Sequence, residues 1–320
     1  MKRLFMLVVS LLFLPVFAQG ADIHLPANLH ATAQVVKTTL DNDWEKTLLV
    51  TFAERRRTLA TFDGFVEAMA AMNHSASPLL WEKVSKEFMS VKGCGGQVYM
   101  DVVRERLARD AGLEKQDITK MATAADMDNL AVVTKEFKPF TVTVLATAGA
   151  RTNAIRTGVD EGIHIEGEEP KGTINIMLLT NAQLTDGAMA RAIITVTEAK
   201  TAALQDLDVQ SSYTPDAQAT GTGTDSVIVV AGTTGPTVTY TGGHSRIGEL
   251  IGKAAYEAVI EALVKQNGFK PPAPRPLVSA EARNEKAASI EAEKWLWLLD
   301  EGRFPESWDA SSELSRRSIK

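Results

Sequence analysis

The residues best suited to chemistry lie between Thr195 and Ser226. That stretch carries Thr195, Thr197, Glu198, Lys200 and Thr201, and closes with Thr220-Gly221-Thr222-Gly223-Thr224-Asp225. An acid and an amine on one segment, followed by a loop of glycines and hydroxyls ending in a second acid, can gather polar groups around a ligand. Glycine lets the backbone come close, and its amide can face an anionic or a carbonyl oxygen. A surface helix followed by a flexible loop is the plain alternative, and the pattern alone leaves both open.

These residues need elements to hold them. Met189, Ile193, Val196 and Ala203 recur at helical spacing, which predicts a helix over 187–205 with one apolar stripe, capped by Thr185 or Asp186. Thr195 and Glu198 fall on a neighbouring face, with Lys200 and Thr201 near the edge of the stripe. Residues 227–230 form an apolar strand directly after the loop. Upstream, Ile174, Ile176, Met177, Leu178 and Leu179 make the nearly continuous apolar run of a buried strand. Asn175 interrupts that run, and an amide there needs partners. Gly235-Pro236 suggests a hairpin turn with a returning strand at 238–240. His244 precedes a long helix over 247–265, where unpaired amides accommodate charge; a structural histidine is as consistent with the pattern as a catalytic one. Asn153 and Arg156 follow the strand end Ala148-Gly149-Ala150, in a site loop or a plain turn.

Further strands are expected over 47–53, 131–137 and 141–147, with another short extended segment after Arg55-Arg56-Arg57 to Phe62. That Arg triplet is either a solvated edge or a contact for anionic ligands. Helices are expected over 80–89 and 98–108, around a breaker at 93–96, and a short helix over 117–121. The fold class is mixed α/β (α+β). Strands near 48, 142, 175, 228 and 239 build a central mixed sheet, and the helices at 187–205 and 247–265 pack on it.

Composition narrows the partners. The chain has 320 residues, 45% hydrophobic and 23% charged, as an ordinary globular protein does. Its net charge of -6 gives no reason to expect nucleic acid. The single cysteine, Cys94, excludes an internal disulfide and a cysteine-based zinc site. His164 sits among Glu161, Glu166, Glu168 and Glu169, but no second histidine stands at ligand spacing, so the stretch reads as a solvated loop.

Lys2 and Arg3 precede an apolar run over 4–17, followed by Ala18, as in a secretory signal peptide with an exported, periplasmic product. The run is too short for a comfortable membrane span, which needs roughly 20 residues. The expected organisation is a signal peptide (1–18), a lead-in arm (19–44), a main domain (45–268), a proline-rich linker (269–278) and a helical appendage (279–320). Trp295, Trp297 and Trp308 in the appendage want a surface to bury against. That tail resembles the start of a small secreted bacterial domain of unknown function.

Several motifs occur in a fixed order: Gly172-Thr173-Ile174-Asn175-Ile176, Thr197-Glu198-Ala199-Lys200-Thr201-Ala202-Ala203, Ala219-Thr220-Gly221-Thr222-Gly223-Thr224-Asp225 and Gly248-Glu249-Leu250-Ile251-Gly252. Ala122-Thr123-Ala124-Ala125-Asp126 and Asn153-Ala154-Ile155-Arg156-Thr157-Gly158 precede them. Over roughly residues 45–266 the set resembles the adenosylcobinamide amidohydrolase family of corrinoid-salvage enzymes. The segment Leu59-Ala60-Thr61-Phe62-Asp63-Gly64 departs from that family, which is serine-rich there with paired glycines.

The resemblance implies hydrolysis of the aminopropanol amide of adenosylcobinamide to adenosylcobyric acid. The corrinoid with its cobalt is then the substrate, and no resident cofactor or metal is implied. Amide hydrolysis needs an activated oxygen, donors for the oxyanion and a proton for the leaving amine. Glu198 is the candidate general base and Lys200 its charge partner. Gly221 and Gly223 are candidate oxyanion donors, and Asp225 or His244 the candidate proton donor. Thr220, Thr222 and Thr224 are candidate nucleophiles beside activated water, and no Gly-x-Ser-x-Gly elbow is present. Asn175, Asn153 and Arg156 complete the expected substrate-binding set. An exported corrinoid-binding protein that has lost catalysis is the alternative.

Overall fold

The computed structural model describes residues 19–88, 95–162, 172–272 and 280–310. The chain divides into two units, Met1–Pro272 and Ala273–Lys320.

In chain order the first unit contains β1 (Gln19–Ile23), β2 (Ala31–Leu40), β3 (Asp43–Ala60), β4 (Gly64–Ala76), α1 (Pro78–Phe88), α2 (Gly95–Ala111) and β5 (Ile118–Thr123). There follow β6 (Ala131–Phe137), β7 (Phe140–Ala148), β8 (Ala154–Ile155), β9 (Ile174–Thr180) and β10 (Gln183–Leu184). The unit closes with α3 (Asp186–Asp206), β11 (Gly221–Thr222), β12 (Ser226–Val230), β13 (Thr237–Val238) and α4 (Arg246–Asn267).

One nine-stranded mixed sheet runs β1-β2-β3-β12-β9-β7-β6, with β4 on the other edge of β3 and β5 beyond it. The eighteen-residue strand β3 organises it. Its first half pairs with β2 and its last residues with β12, while β4 follows it on the far edge. The register with β4 shifts between Thr51 and Arg56. A bulge of this kind bends a strand and increases its twist, and here the sheet curls. Leu48, Val50, Phe52, Met121, Met177, Leu179, Ile228 and Val230 form one core from the residues on one face of these strands. On the other face α3 and α4 share a core with β7, β9 and β12, and α1 and α2 share a separate one with β4 and β5. Ile174, Ile176 and Leu178 of β9 face the helical core, and Met177 and Leu179 the opposite one. Burial on both faces accounts for its unbroken apolar run.

The expected helices over 187–205 and 247–265 correspond to α3 and α4. Thr185 caps α3 by accepting from the Ala188 amide, and Ser245 caps α4 through the Gly248 amide. Gly268, at φ 67, ends α4 in the left-handed conformation open to glycine.

Several expectations are corrected. Residues 117–121, read as a helix, belong mostly to β5. Ile118 and Met121 also fit a helical spacing, but parallel pairing with β4 decides for the strand. The returning strand expected near 239 does not join the sheet: Thr237–Val238 pairs in parallel with Gln183–Leu184. The stretch read as a lead-in arm forms β1 and β2, because the edge of β3 gives its polar residues a ladder to pair with. The Arg triplet is split: Arg55 and Arg57 lie toward solvent in ion pairs, and only Arg56 turns inward. Arg56 is buried and donates to the Ala231 and Leu29 carbonyls, while Arg55 pairs with Asp117 and Arg57 with Asp186.

In the second unit α5 (Ala280–Asp300) turns at Gly302, φ 70, into α6 (Phe304–Ala310). Trp297 and Trp308 are exposed on it. Among the described residues no helix is long and apolar enough to cross a membrane.

Candidate functional site

The curled sheet leaves a seam. β5 pairs only with β4, so its outer edge is free of a strand partner, and it faces the start of β9. Asn175 bridges the seam: its Nδ2 donates to Ala122 O at 2.8 Å and to Asn73 Oδ1 at 2.9 Å. Beside this bridge lies a cavity of about 410 Å³. One wall is Lys120, Met121 and Ala122 of β5, and the facing wall is the loop Gly223-Thr224-Asp225 with Ser226. Thr61 and Phe62 of the β3–β4 turn, Trp81 of α1, and Gly96, Gln97 and Met100 of α2 complete it.

The loop wall is held by one carboxylate. Asp225 accepts from Lys200 Nζ, from the Thr222 hydroxyl at 2.5 Å, from the Thr222 amide at 3.1 Å and from the Ile174 amide at 3.0 Å. A carboxylate offers about four lone-pair sites, so Asp225 is saturated. It ties the loop to α3 and to β9. Lys200, only 8% exposed, reaches it from the buried side of α3. Gly221 pairs with Ile155, and Thr222 with Ala154, which lays the loop against β8.

Around this lock the other expected binding residues serve the loop. Asn153 Nδ2 donates to Gly172 O at 2.9 Å, its Oδ1 accepts from Tyr213, and its carbonyl accepts from the Gly223 amide. The Thr224 hydroxyl donates to Gly172 O at 2.8 Å. Thr220 accepts from the Thr157 amide through its hydroxyl and from Thr201 through its carbonyl. The Arg156 guanidinium reaches Gln218 O at 3.4 Å, and its amide donates to Asp160. Of the expected site residues, Gly223, Thr224 and Asp225 line the cavity.

Three expected site residues stand apart. Glu198 is exposed, makes no hydrogen bond or ion pair among the described residues and does not line the cavity. Two residues along a helix turn about 200°, so Glu198 and Lys200 leave α3 on nearly opposite sides. His244 is exposed beside the Tyr240 ring at 5.3 Å, at the N-terminus of α4. His244 does not line the cavity. Asn175 is fully buried with both amide hydrogens committed, so it braces the seam and has no donor left for a substrate. The acidic stretch around His164 lies outside the described residues, apart from Glu161.

The cavity also brings in residues outside the expected site set: Lys120, Ser226, Trp81 and Phe62. Ser226 is buried at the head of β12, and its hydroxyl makes no hydrogen bond among the described residues. Lys120 pairs with Asp101 at 2.5 Å. The one signal available was the departure at 59–64, which supplies Thr61 and Phe62 to the wall. Trp81 rests edge-on against Tyr99 and His74, with ring centroids 5.2 and 6.1 Å away. Behind it runs a buried chain: Thr47 to His74 Nδ1 at 2.8 Å, His74 Nε2 to Tyr99 at 3.0 Å, and Tyr99 to Glu45 at 2.5 Å. Arg106 neutralises Glu45 at 3.0 Å. Burial pushes His74 down to about 4 and raises Tyr99, so His74 is neutral and Tyr99 keeps its proton.

Comparison with known proteins gives the family. A model of the adenosylcobinamide amidohydrolase family matches residues 29–271. An uncharacterized protein of Methanocaldococcus jannaschii is 46% identical over 239 residues, covering 70% of this chain and 88% of that protein. An adenosylcobinamide amidohydrolase of Methanosarcina mazei is 29% identical over 168 residues, covering 50% of this chain and 72% of that protein.

Proposed function

The chain belongs to the adenosylcobinamide amidohydrolase family, and from that premise we propose that it hydrolyses the aminopropanol amide of adenosylcobinamide, or of a related corrinoid, to the carboxylic acid. The observation that carries this reading is the seam cavity, walled by the loop that Asp225 and Lys200 lock in place. At about 410 Å³ it suits a side arm of a corrinoid rather than the whole macrocycle, which would rest at the mouth. Phe62, 56% exposed at the rim, offers an apolar surface to the ring.

Within the cavity lining, Lys120 is the cation and Ser226 the hydroxyl without a described hydrogen bond. In this reading Ser226 orients the attacking water and Lys120 supplies the amine with its proton. Asp225, with its lone pairs occupied, is a positioning residue. The test is incubation of the purified mature chain with adenosylcobinamide, followed by mass spectrometry. Adenosylcobyric acid and aminopropanol are expected. Intact substrate after prolonged incubation with folded protein, together with measurable corrinoid binding, would instead identify a binding protein.

Export belongs to the same proposal and rests on Lys2, Arg3 and the apolar run that follows. N-terminal sequencing of the envelope-fraction protein should begin near Gln19 or Ala21. Recovery with Met1 intact from the cytoplasm would count against it.

A further inference from the structure

We infer that the backbone N–H of Ala122, on the free edge of β5, is the donor that takes the carbonyl oxygen of the scissile amide. The inference rests on the hydrolase reading and adds a group that carries no side-chain signature. In a parallel ladder each residue sends its N–H and C=O to the same side, and successive residues alternate. β5 pairs with β4 alone. Ala122 O accepts Asn175 Nδ2 from across the seam, so Ala122 points away from β4. Lys120 obeys the same alternation, since its N–H goes to Asp63 Oδ2 at 3.2 Å. Ala122 therefore turns its N–H to the free edge as well, and that N–H has no acceptor among the described residues.

The edge lies at the cavity. Met121 sends its side chain to the inner core and Ala122 packs toward the α1–α2 side, yet both line the cavity, which places it along the backbone between them. The facing wall carries Ser226. An amide between the walls meets the Ala122 N–H on one side and the Ser226 hydroxyl on the other. Asn175 fixes the Ala122 carbonyl and is itself fixed by Asn73, so this donor is preorganised. A donor that needs no reorganisation is effective where negative charge develops. Water adds to the carbonyl carbon, and the oxygen that becomes negative receives the Ala122 N–H. The C–N bond then breaks and the C=O reforms; the amine nitrogen takes its proton from Lys120, which regains one from the attacking water.

Proline at 122 deletes that N–H and nothing in the β4–β5 ladder, and strand edges tolerate proline where the N–H faces outward. Ala122→Pro should keep the wild-type fold and lower kcat by about 10²- to 10³-fold, the usual loss for one oxyanion donor. Ala122→Gly alters the side chain but keeps the N–H, so the ratio of its kcat to that of Ala122→Pro reads the donor itself. Folded Ala122→Pro with near-normal turnover overturns the inference while leaving the hydrolase reading intact. Should the proline variant not fold, an amide-to-ester replacement at residue 122 deletes the same N–H without a ring and is read in the same way. If the wild type binds adenosylcobinamide without hydrolysing it, the hydrolase reading has failed and the Kd decides. Affinity lost in Ala122→Pro supports the contact, and unchanged affinity overturns it.

Discussion

Lys200 and Asp225 meet in the space that a side chain on Gly221 would fill. A Cβ built there would lie 2.6 Å from Lys200 Nζ and 2.5 Å from Asp225 Oδ2. The glycine is required by this close approach. Gly221→Ala must push the ion pair apart, and overpacking of this kind costs about 1–3 kcal/mol. It should lower the melting temperature and cut turnover, because the loop wall moves with Asp225. A variant that melts and turns over like the wild type would show that the pair is not the lock described.

The exposed face of α3 and the cavity make opposite claims on the chemistry. Glu198→Gln is expected to keep turnover within a few-fold, since Glu198 touches neither the cavity nor Lys200. Ser226→Ala should lose on the order of 10²-fold, the usual loss when a reacting group is no longer held in place. Rates measured on both folded variants against adenosylcobinamide decide. The reverse result would return catalysis to Glu198.

His74 predicts a pH dependence of stability. Burial lowers it to about 4 from 6.5, so between those values the unfolded chain takes up a proton that the folded chain refuses. The fold has its full His74 contribution above pH 6.5 and loses it as pH falls toward 4. The total loss is on the order of 3 kcal/mol. Asp117 and Asp186 are held low by Arg55 and Arg57, so their contributions are lost only below about 4. Urea unfolding from pH 7.5 to 4.5 should show the slope in wild type and a flatter one in His74→Gln. Equal slopes would sink the assignment.

Asn175 should prove structural. Asn175→Ala leaves Asn73 Oδ1 and Ala122 O without their donor, at about 1–3 kcal/mol for each orphaned buried group. Asn175→Asp should be worse, since it sets a carboxylate against two acceptors. Chemical denaturation of both variants checks the order. An Asn175→Ala protein of wild-type stability with only affinity reduced would make the residue a substrate contact after all.

Where a residue's fate is set by its own neighbours in sequence, the chain could be read directly. The stripe Met189, Val196 and Ala203 specified α3, and the run from Ile174 to Leu179 specified a buried strand, because burial imposes a period of 3.6 on a helix and removes alternation from a strand covered on both faces. A cap at Thr185 or Asp186 was also legible, since capping depends on residues within a few positions.

Contacts between distant residues settled the rest. Asn175 and Asn73 lie 102 positions apart, and only their meeting shows that the amide inside β9 braces a seam instead of binding a ligand. Residues 118–121 became strand through pairing with β4, which local spacing does not record. Glu198 and Lys200 sit two apart in a motif, yet the docking of α3 buried one and left the other in solvent. The free N–H of Ala122 exists only because β5 has no second strand beside it. A hydrogen-bonding direction at a sheet edge is a property of the assembled sheet, and no single stretch of sequence carries it.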